Sequence, residues 1–371
     1  MGNVAEGLKV LVVDDSAFAR MRVRRYLLAD PDIAEVDTAE DGVIALQKVV
    51  DFVPDVITLD VQMPRMDGIA ALREIMATTP TPVVMLSGLT GEDSATTILA
   101  LELGAVDFCL KLDLHAPIGH ASLMDDLATK VKIAARVQLA HLASADEAAI
   151  RMALQVKLHP TAHKADSTLR RTGKLECLTV IANSTGGPKA LAQLVPQLPA
   201  DLPAGYLLIQ HMPAGFTRSL AERLNTNSDL EVREAEEGDI IKAGQALMAP
   251  GGLHMTVKEG GIIRLNDGPT VHGVRPSADV TMKSAARVYG SRVAVAVLTG
   301  MGSDGRDGVR AIKAAGGSSV VEHESTCAVY GMPRSVAEAG LADKIVPLGQ
   351  ISPVLAGYIE ERSKRSVGAA N

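Results

Sequence analysis

The stretch Val180-Ile-Ala-Asn-Ser184-Thr-Gly-Gly187 runs from an apolar segment into a small polar turn, and Pro188 and the helix-patterned Lys189-Ala-Leu-Ala-Gln-Leu-Val195 follow it. The chain therefore bends sharply here from strand to helix, the connection from which layered α/β folds are built. A turn of this kind does one of two jobs. It cradles a phosphate on backbone N–H groups at the helix start, or it holds up one hydroxyl, Ser184, as a nucleophile.

Working outward, the same alternation recurs on both sides. In this half, strands are predicted at Leu178–Ala182, Gly205–Gln210 and Val293–Leu298, and the glycine-rich region from Gly238 to Val274 reads as a β-hairpin insertion. Upstream, strands at Leu8–Val13, Ala34–Thr38, Val56–Leu59, Pro82–Leu86 and Val106–Leu110 alternate with helical segments starting at Ser16, Gly42, Gly68 and Glu92, and a last helix runs from Ser122 into the 130s. Strand-plus-helix units of this length make open parallel sheets, so the pattern predicts an α/β chain with two doubly wound parallel-sheet domains. Residues 140–172 change character, from an Ala-rich start with a capping-box pattern at Ser144-x-x-Glu147 to a polar, basic tract around His159-Pro-Thr-Ala-His163 and Arg170-Arg-Thr-Gly-Lys174. The expected division is a first domain over 8–126, a partly helical linker over 127–172 and a second domain over 173–364.

At 371 residues the chain is longer than one core usually supports. It is 47% hydrophobic but only 2% aromatic, with no Trp, so its interior must be built from Val, Leu, Ile, Ala and Met, as suits parallel sheets covered by helices. A formal charge of -7 offers no general attraction for nucleic acid or an anionic membrane. The three cysteines, Cys109, Cys177 and Cys327, form no C-x-x-C pair, which argues against a disulfide framework or a thiolate zinc site and for a reducing cytoplasm. The N-terminus lacks the charged segment and long apolar core of a signal peptide, Glu6 stands where a myristoylation motif wants Ser or Thr, and no apolar run is long enough to span a bilayer. A cytoplasmic protein without direct membrane insertion is expected.

Chemistry-bearing residues gather at predicted strand ends. Asp14 and Asp15 follow the first strand, Asp60 ends the third, and Ser87 and Lys111 end the fourth and fifth. In a parallel sheet these ends share the edge where ligands bind. Clustered acids repel one another and need a cation, and oxygen-only ligation suits Mg²⁺. Lys111 and Ser87 can meet phosphoryl oxygens, and Asp60, standing apart from the Asp14–Asp15 pair, is the natural nucleophile toward phosphorus. Taken singly, Asp15 or Asp67 reads equally well as a helix cap or solvated turn residue.

The dinucleotide version of the Ser184 turn would need G-x-G-x-x-G and an acid about twenty residues on, but only Gly186 and Gly187 are present and the next strand closes in Gln210-His211. His211 can instead be a base for Ser184, and Asp304, in the glycine-rich turn Thr299-Gly-Met-Gly-Ser-Asp304-Gly, can fix its tautomer. Backbone N–H groups around Met301 could line an oxyanion hole. Each residue alone has a bland reading, Ser184 as a helix cap, His211 as a structural histidine and Asp304 as a turn residue. A lipase-like esterase would want the G-x-S-x-G elbow, which is absent, and a binding-only output module stays as the rival. His159 and His163 stand at helical spacing for a metal but flank Pro160; His254 and His272 lack an adjacent carboxylate pair in sequence; Cys327 reads as a plain thiol.

These motifs carry two resemblances. Residues 8 to about 126 resemble the receiver domain of two-component response regulators, through Val12-Val-Asp-Asp-Ser16, Leu59-Asp-Val-Gln-Met-Pro-Arg-Met-Asp-Gly68, Ser87 and Lys111, with Leu112 where that family usually has proline. This implies a flavodoxin-like fold, an aspartyl-phosphate site at Asp60 fed by a chemotaxis histidine kinase, and Phe108 as the aromatic that senses occupancy. Residues from about 173 to 364 are similar to the catalytic domain of CheB-type chemotaxis methylesterases, through Ser184-Thr-Gly-Gly-Pro188, Gln210-His-Met-Pro-Ala-Gly-Phe-Thr217, Ala249-Pro-Gly-Gly252, Val274-Arg-Pro-Ser-Ala-Asp279, Thr299-Gly-Met-Gly-Ser-Asp-Gly305 and Tyr330-Gly-Met-Pro333. Ahead of the serine stands Ile181-Ala-Asn183, where that family often has Ile-Gly-Ala. The likeness implies a Rossmann-like esterase without a cofactor, a Ser184–His211–Asp304 triad, and as substrate the glutamate γ-methyl esters of the chemoreceptor cytoplasmic domain, with deamidation of glutamines at some of the same positions. The tandem order implies regulation, with phosphate on Asp60 weakening a cover that the receiver places over the esterase cleft.

Overall fold

A computed structural model describes residues 7–88, 90–111, 121–137 and 175–368. The chain divides into two compact units, Met1–His159 and Pro160–Asn371. The expected Ser144 capping box, the His159/His163 pair, the basic cluster at Arg170–Lys174 and Leu112 lie outside the described residues.

In the first unit β1 (Leu8–Val13), α1 (Ala17–Leu27), β2 (Ile33–Ala39), α2 (Gly42–Phe52), β3 (Val56–Asp60), α3 (Gly68–Thr78), β4 (Val83–Ser87), α4 (Gly91–Glu102), β5 (Asp107–Leu110) and α5 (Ala121–Ala134) succeed one another. The five strands form one sheet in the order β2-β1-β3-β4-β5, every pair parallel. Four helices start on a side-chain cap. Ser16, Asp41, Asp67 and Thr90 each accept an N–H from the first turn that follows, and Asp93 completes a capping box with Thr90. Such caps contribute about 1 kcal/mol each and set where strand turns to helix. Asp67 is thus a helix cap. α5 buries Leu127, Ala128, Val131 and Ala134, so this helix carries the chain's packed residues across position 126.

The second unit contains β6 (Cys177–Asn183), α6 (Gly187–Leu194), β7 (Ala204–Gln210), α7 (Phe216–Thr226), β8 (Glu231–Glu234), β9 (Gln245–Met248), β10 (His254–Lys258), β11 (Ile262–Asn266), α8 (Ala278–Tyr289), β12 (Val293–Val297), α9 (Arg306–Ala314), β13 (Ser318–Glu322), α10 (Met332–Glu338), β14 (Lys344–Val346) and α11 (Ile351–Gly368). Seven strands make a parallel sheet in the order β14-β13-β12-β6-β7-β9-β8. Both faces are covered, so β6, β7 and β12 are buried at every residue, and Val180, Leu207 and Val295 share one aliphatic core with Met255, Met282 and Ile312. Each such side chain contributes roughly 1.5–3 kcal/mol by leaving water.

The glycine-rich region holds the expected hairpin, β10 paired antiparallel with β11. It also holds a strand the sequence did not announce: β9 joins the main sheet beside β7. In both sheets the order in which strands are added reverses, at β1 in the first and at β6 in the second. In the first, β1 lies between β2 and β3; in the second, β6 lies between β12 and β7. Crossovers diverge at such switch points, which opens a crevice at the carboxyl ends of the strands. Asp14 and Asp60 flank one crevice, and Ser184 and the turn after β12 flank the other.

Candidate active site

Three strand extensions build the site of the second unit. Beyond β6, the Ser184 N–H donates to Thr299 O (3.0 Å) and the Ser184 carbonyl accepts from Gly187 N–H (2.8 Å) and Gln210 Nε2 (2.9 Å). Beyond β7, His211 N–H donates to Asn183 O (3.2 Å). Beyond β12, the turn at Thr299–Gly302 lies directly against the serine: a Cβ on Gly300 would stand 2.7 Å from Ser184 Cβ, so only glycine allows the approach. The buried Glu322 carboxylate holds this turn by accepting Thr299 N–H at 2.8 Å, and Gly300 exchanges backbone hydrogen bonds with Val329, Gly331 and Met332. Met301, the next residue of this turn, is 48% exposed.

His211 Nε2 meets Asp304 Oδ2 at 2.8 Å. Asp304 is 2% exposed and accepts three further hydrogen bonds, from Ser277 Oγ (2.8 Å), Ala278 N–H (2.6 Å) and Asp279 N–H (3.1 Å). Burial would raise its pKa. The hydrogen bond and charge of His211 outweigh burial, with the Asp279 N–H and Ser277 hydroxyl adding to them, and hold the carboxyl below its ordinary range. An ionised Asp304 keeps the proton on Nε2, which leaves Nδ1 as the ring nitrogen with a lone pair.

Ser277, Asp279 and Glu322 carry no signal along the chain that marks them as part of this site, although Ser277 and Asp279 lie in the Val274–Asp279 motif and open a helix in an S-x-D pattern. Along the sequence His272 has no adjacent carboxylate pair. In space His272 Nε2 bonds Asp279 Oδ2 at 3.0 Å, and Asp307 completes a cluster with ligand-type atoms within 4.8 Å of one another, because the starts of α8 and α9 converge there. His254 is a buried structural histidine: its Nδ1 accepts Ser277 N–H (3.2 Å) and its Nε2 bonds Pro269 O (2.9 Å). Burial pushes the Cys327 thiol pKa up, as befits an inert core thiol. Asn183 is fully buried behind the serine turn, and neither its amide nitrogen nor its amide oxygen has a hydrogen-bond partner among the described residues.

In the first unit Asp14, Asp15 and Asp60 bring carboxylate oxygens within 4.8 Å of one another. Lys111 Nζ lies 2.5 Å from Asp60 Oδ2 and 3.1 Å from Asp14 Oδ2. Burial drives the Asp60 pKa up to about 6 against the hydrogen bond and charge of Lys111, and the neighbouring Asp14 adds to the rise. Burial disfavours the Lys111 charge, but Asp60 and Asp14 outweigh it and raise its pKa. Three acids against one lysine leave a surplus of negative charge among oxygen donors only, which fits a hard divalent cation. Ser87 is buried beside them, its hydroxyl bonded to Gly88 O (3.1 Å) and to Thr97 Oγ1 (2.6 Å). Phe108 is buried on β5 with Lys130 Nζ 5.5 Å from its ring centre.

A parallel sheet with an acid-and-lysine pocket, joined in one chain to a second parallel sheet with a serine, a histidine and a buried aspartate at adjacent strand ends, defines a receiver-regulated hydrolase. Comparison with known proteins gives the same class. Residues 10–116 match the response regulator receiver domain and residues 179–355 match the CheB methylesterase family. The protein-glutamate methylesterase/protein-glutamine glutaminase of Symbiobacterium thermophilum is 48% identical over 96% of this chain and 99% of its own, and that of Pyrococcus horikoshii is 43% identical over 95% and 94%. The chain is also similar to the CheB methylesterase catalytic domain of Thermotoga maritima, 42% identical with a TM-score of 0.47, covering 51% of this chain and 98% of that one. The chain belongs to the protein-glutamate methylesterase/protein-glutamine glutaminase family. Among the described residues no helix is long and apolar enough to cross a membrane.

Proposed function

We propose that the second domain removes methyl groups from glutamate γ-methyl esters on the cytoplasmic domain of chemoreceptors, and deamidates receptor glutamines, under control of phosphorylation at Asp60. The observation that carries this reading is the 2.8 Å hydrogen bond between His211 Nε2 and Asp304 Oδ2 at the strand ends that also present Ser184. Ser184 Oγ attacks the ester carbonyl while His211 Nδ1 takes its proton. Backbone N–H groups of the turn at Met301 receive the oxyanion. The C–O bond to the methoxy group breaks, and methanol leaves with the proton from His211. Water then attacks the acyl group with His211 again as base, freeing glutamate and restoring the Ser184 hydroxyl. With a glutamine side chain the leaving group is ammonia.

In the first domain Asp60 is the phosphate acceptor, supplied by a chemotaxis histidine kinase. Asp14, Asp15 and Asp60 would hold Mg²⁺, which when bound offsets negative charge on the carboxylates and the phosphoryl group. Lys111 and Ser87 meet phosphoryl oxygens, and Phe108 reports occupancy. The division into a receiver over 8–126, a linker and a catalytic domain over 173–364 belongs to the same proposal, as does a cytoplasmic location. The test is methanol release from methyl-labelled receptor membranes, with and without a small-molecule phosphodonor. Ser184→Ala should abolish release in both conditions while the protein still takes up phosphate; turnover at the wild-type rate in that variant refutes the hydrolase reading.

A further inference from the structure

Neither α8 nor α9 caps its own start. The N-cap positions Ser277 and Gly305 make no side-chain capping hydrogen bond, although the first turns leave N–H groups to satisfy. Each helix is capped by an acid from the start of the other. Asp304, immediately before Gly305, accepts Ala278 N–H and Asp279 N–H of α8. Asp279, in the first turn of α8, places Oδ1 on Gly305 N–H (3.0 Å) and Gly308 N–H (2.7 Å) of α9. Gly308 permits the contact, since a Cβ there would come within 2.6 Å of Met282 Cβ and 3.2 Å of Asp279 Cα. Two buried carboxylates this close would repel each other, but each faces backbone N–H donors at the partly positive start of a helix, Asp304 on α8 and Asp279 on α9.

We propose that Asp279 is a positioning residue for the hydrolysis, acting through Asp304. The inference rests on the hydrolase reading above. Asp304 cannot move relative to His211 without breaking its bonds to α8, and α8 cannot slide against α9 without breaking the bonds of Asp279. The crossed caps therefore fix the carboxylate oxygen that faces His211 Nε2. Asp279 touches neither Ser184 nor His211; its effect is on where Asp304 stands. Misplacement of a catalytic group by about 1 Å costs on the order of 100-fold in rate, which sets the scale of the effect.

The test is a double-mutant cycle in the full-length protein, read as kcat and KM for methanol release from methyl-labelled receptor membranes and as the rate at which a fluorophosphonate labels Ser184. Asp279→Ala should lower kcat and the labelling rate together by on the order of 100-fold with KM little changed. Asp279→Asn, which retains an oxygen for Gly305 and Gly308, should restore most of the rate. In an Asp304→Asn background Asp279→Ala should cost almost nothing more, because the group it positions is already gone. The same fold-loss in both backgrounds would overturn the proposal. Should Asp279→Ala fail to fold, Asp279→Ser, whose hydroxyl can still accept one N–H, carries the cycle, and a folded serine variant with wild-type kcat overturns it equally. A wild-type protein that neither labels nor releases methanol removes the hydrolase reading and this inference together, whereas an active wild type with additive losses removes this inference alone.

Discussion

Replacing Asp304 by asparagine tests the site where its parts meet. The two carboxylate oxygens accept four hydrogens, Oδ2 from His211 Nε2 and Ala278 N–H, Oδ1 from Ser277 Oγ and Asp279 N–H. An asparagine has one oxygen for these four donors, and its NH₂ must face a backbone N–H whichever way the amide turns. With the NH₂ at the Oδ2 position it faces Ala278 N–H, and His211 must become an acceptor at Nε2, which puts the ring proton on Nδ1 and disables the base toward Ser184. With the NH₂ at the Oδ1 position it faces Asp279 N–H, and the imidazolium loses its balancing charge. A wrong tautomer with no counter-charge costs about 10⁴-fold in kcat, near 5.5 kcal/mol of transition-state stabilisation. The unpaired buried N–H adds a separate loss of stability of about 1–3 kcal/mol. Single-turnover methanol release and fluorophosphonate labelling of Asp304→Asn, at a temperature where circular dichroism shows the variant folded, measure the first term. Activity within tenfold of wild type would refute the assignment of Asp304 as the partner of His211.

Three further outcomes are expected. The Asp304 pKa is held below its ordinary 3.8 in the folded protein, so its ionised form stabilises the fold at neutral pH, and this contribution is lost as pH falls below that value and through the lower folded one; urea unfolding between pH 7 and pH 3 should show a shallower acid decline in Asp304→Asn than in wild type, and parallel curves would contradict the shift. Asp60→Asn should take up no phosphate from a small-molecule donor and should lose the rise in methanol release that the donor produces; phosphate uptake at the wild-type level would move the acceptor elsewhere. A truncated chain beginning at Gly173 should release methanol faster than the unphosphorylated full-length protein, and a slower rate would show that the receiver activates by another route than relief of inhibition.

Much of this arrangement can be read along the chain, because long apolar strands and their small polar ends are local signals. β6 and β7 are mostly apolar and buried at every residue, β1 is buried from Val10 to Val13, and Asp14, Asp60, Ser184 and His211 stand within a residue of a strand terminus. The strands that escaped sequence reading are short or polar. β14 has three residues, β13 opens with two serines, and the four residues of β9 lie among glycines; each is a strand because a neighbour offers backbone partners. Helix ends in the first unit were legible for the same local reason, since Ser16, Asp41, Asp67 and Thr90 each precede the turn they cap.

The crossed caps have no such local signal. Asp279 and Asp304 are far apart in sequence, and each satisfies amides on an element that only packing brings near. The order of residues by itself determined the alternation of strand and helix, the sharp turn at Ser184 and the placing of acids at strand ends, because these depend on neighbours along the backbone. Only the tertiary structure decided which ring nitrogen of His211 faces the acid, that Glu322 holds the turn beside Ser184, and that two helix starts converge on two buried carboxylates. Burial makes every unpaired N–H and every unpaired charge costly, so these pairings follow from the approach of distant segments, and that approach is a property of the folded sheet.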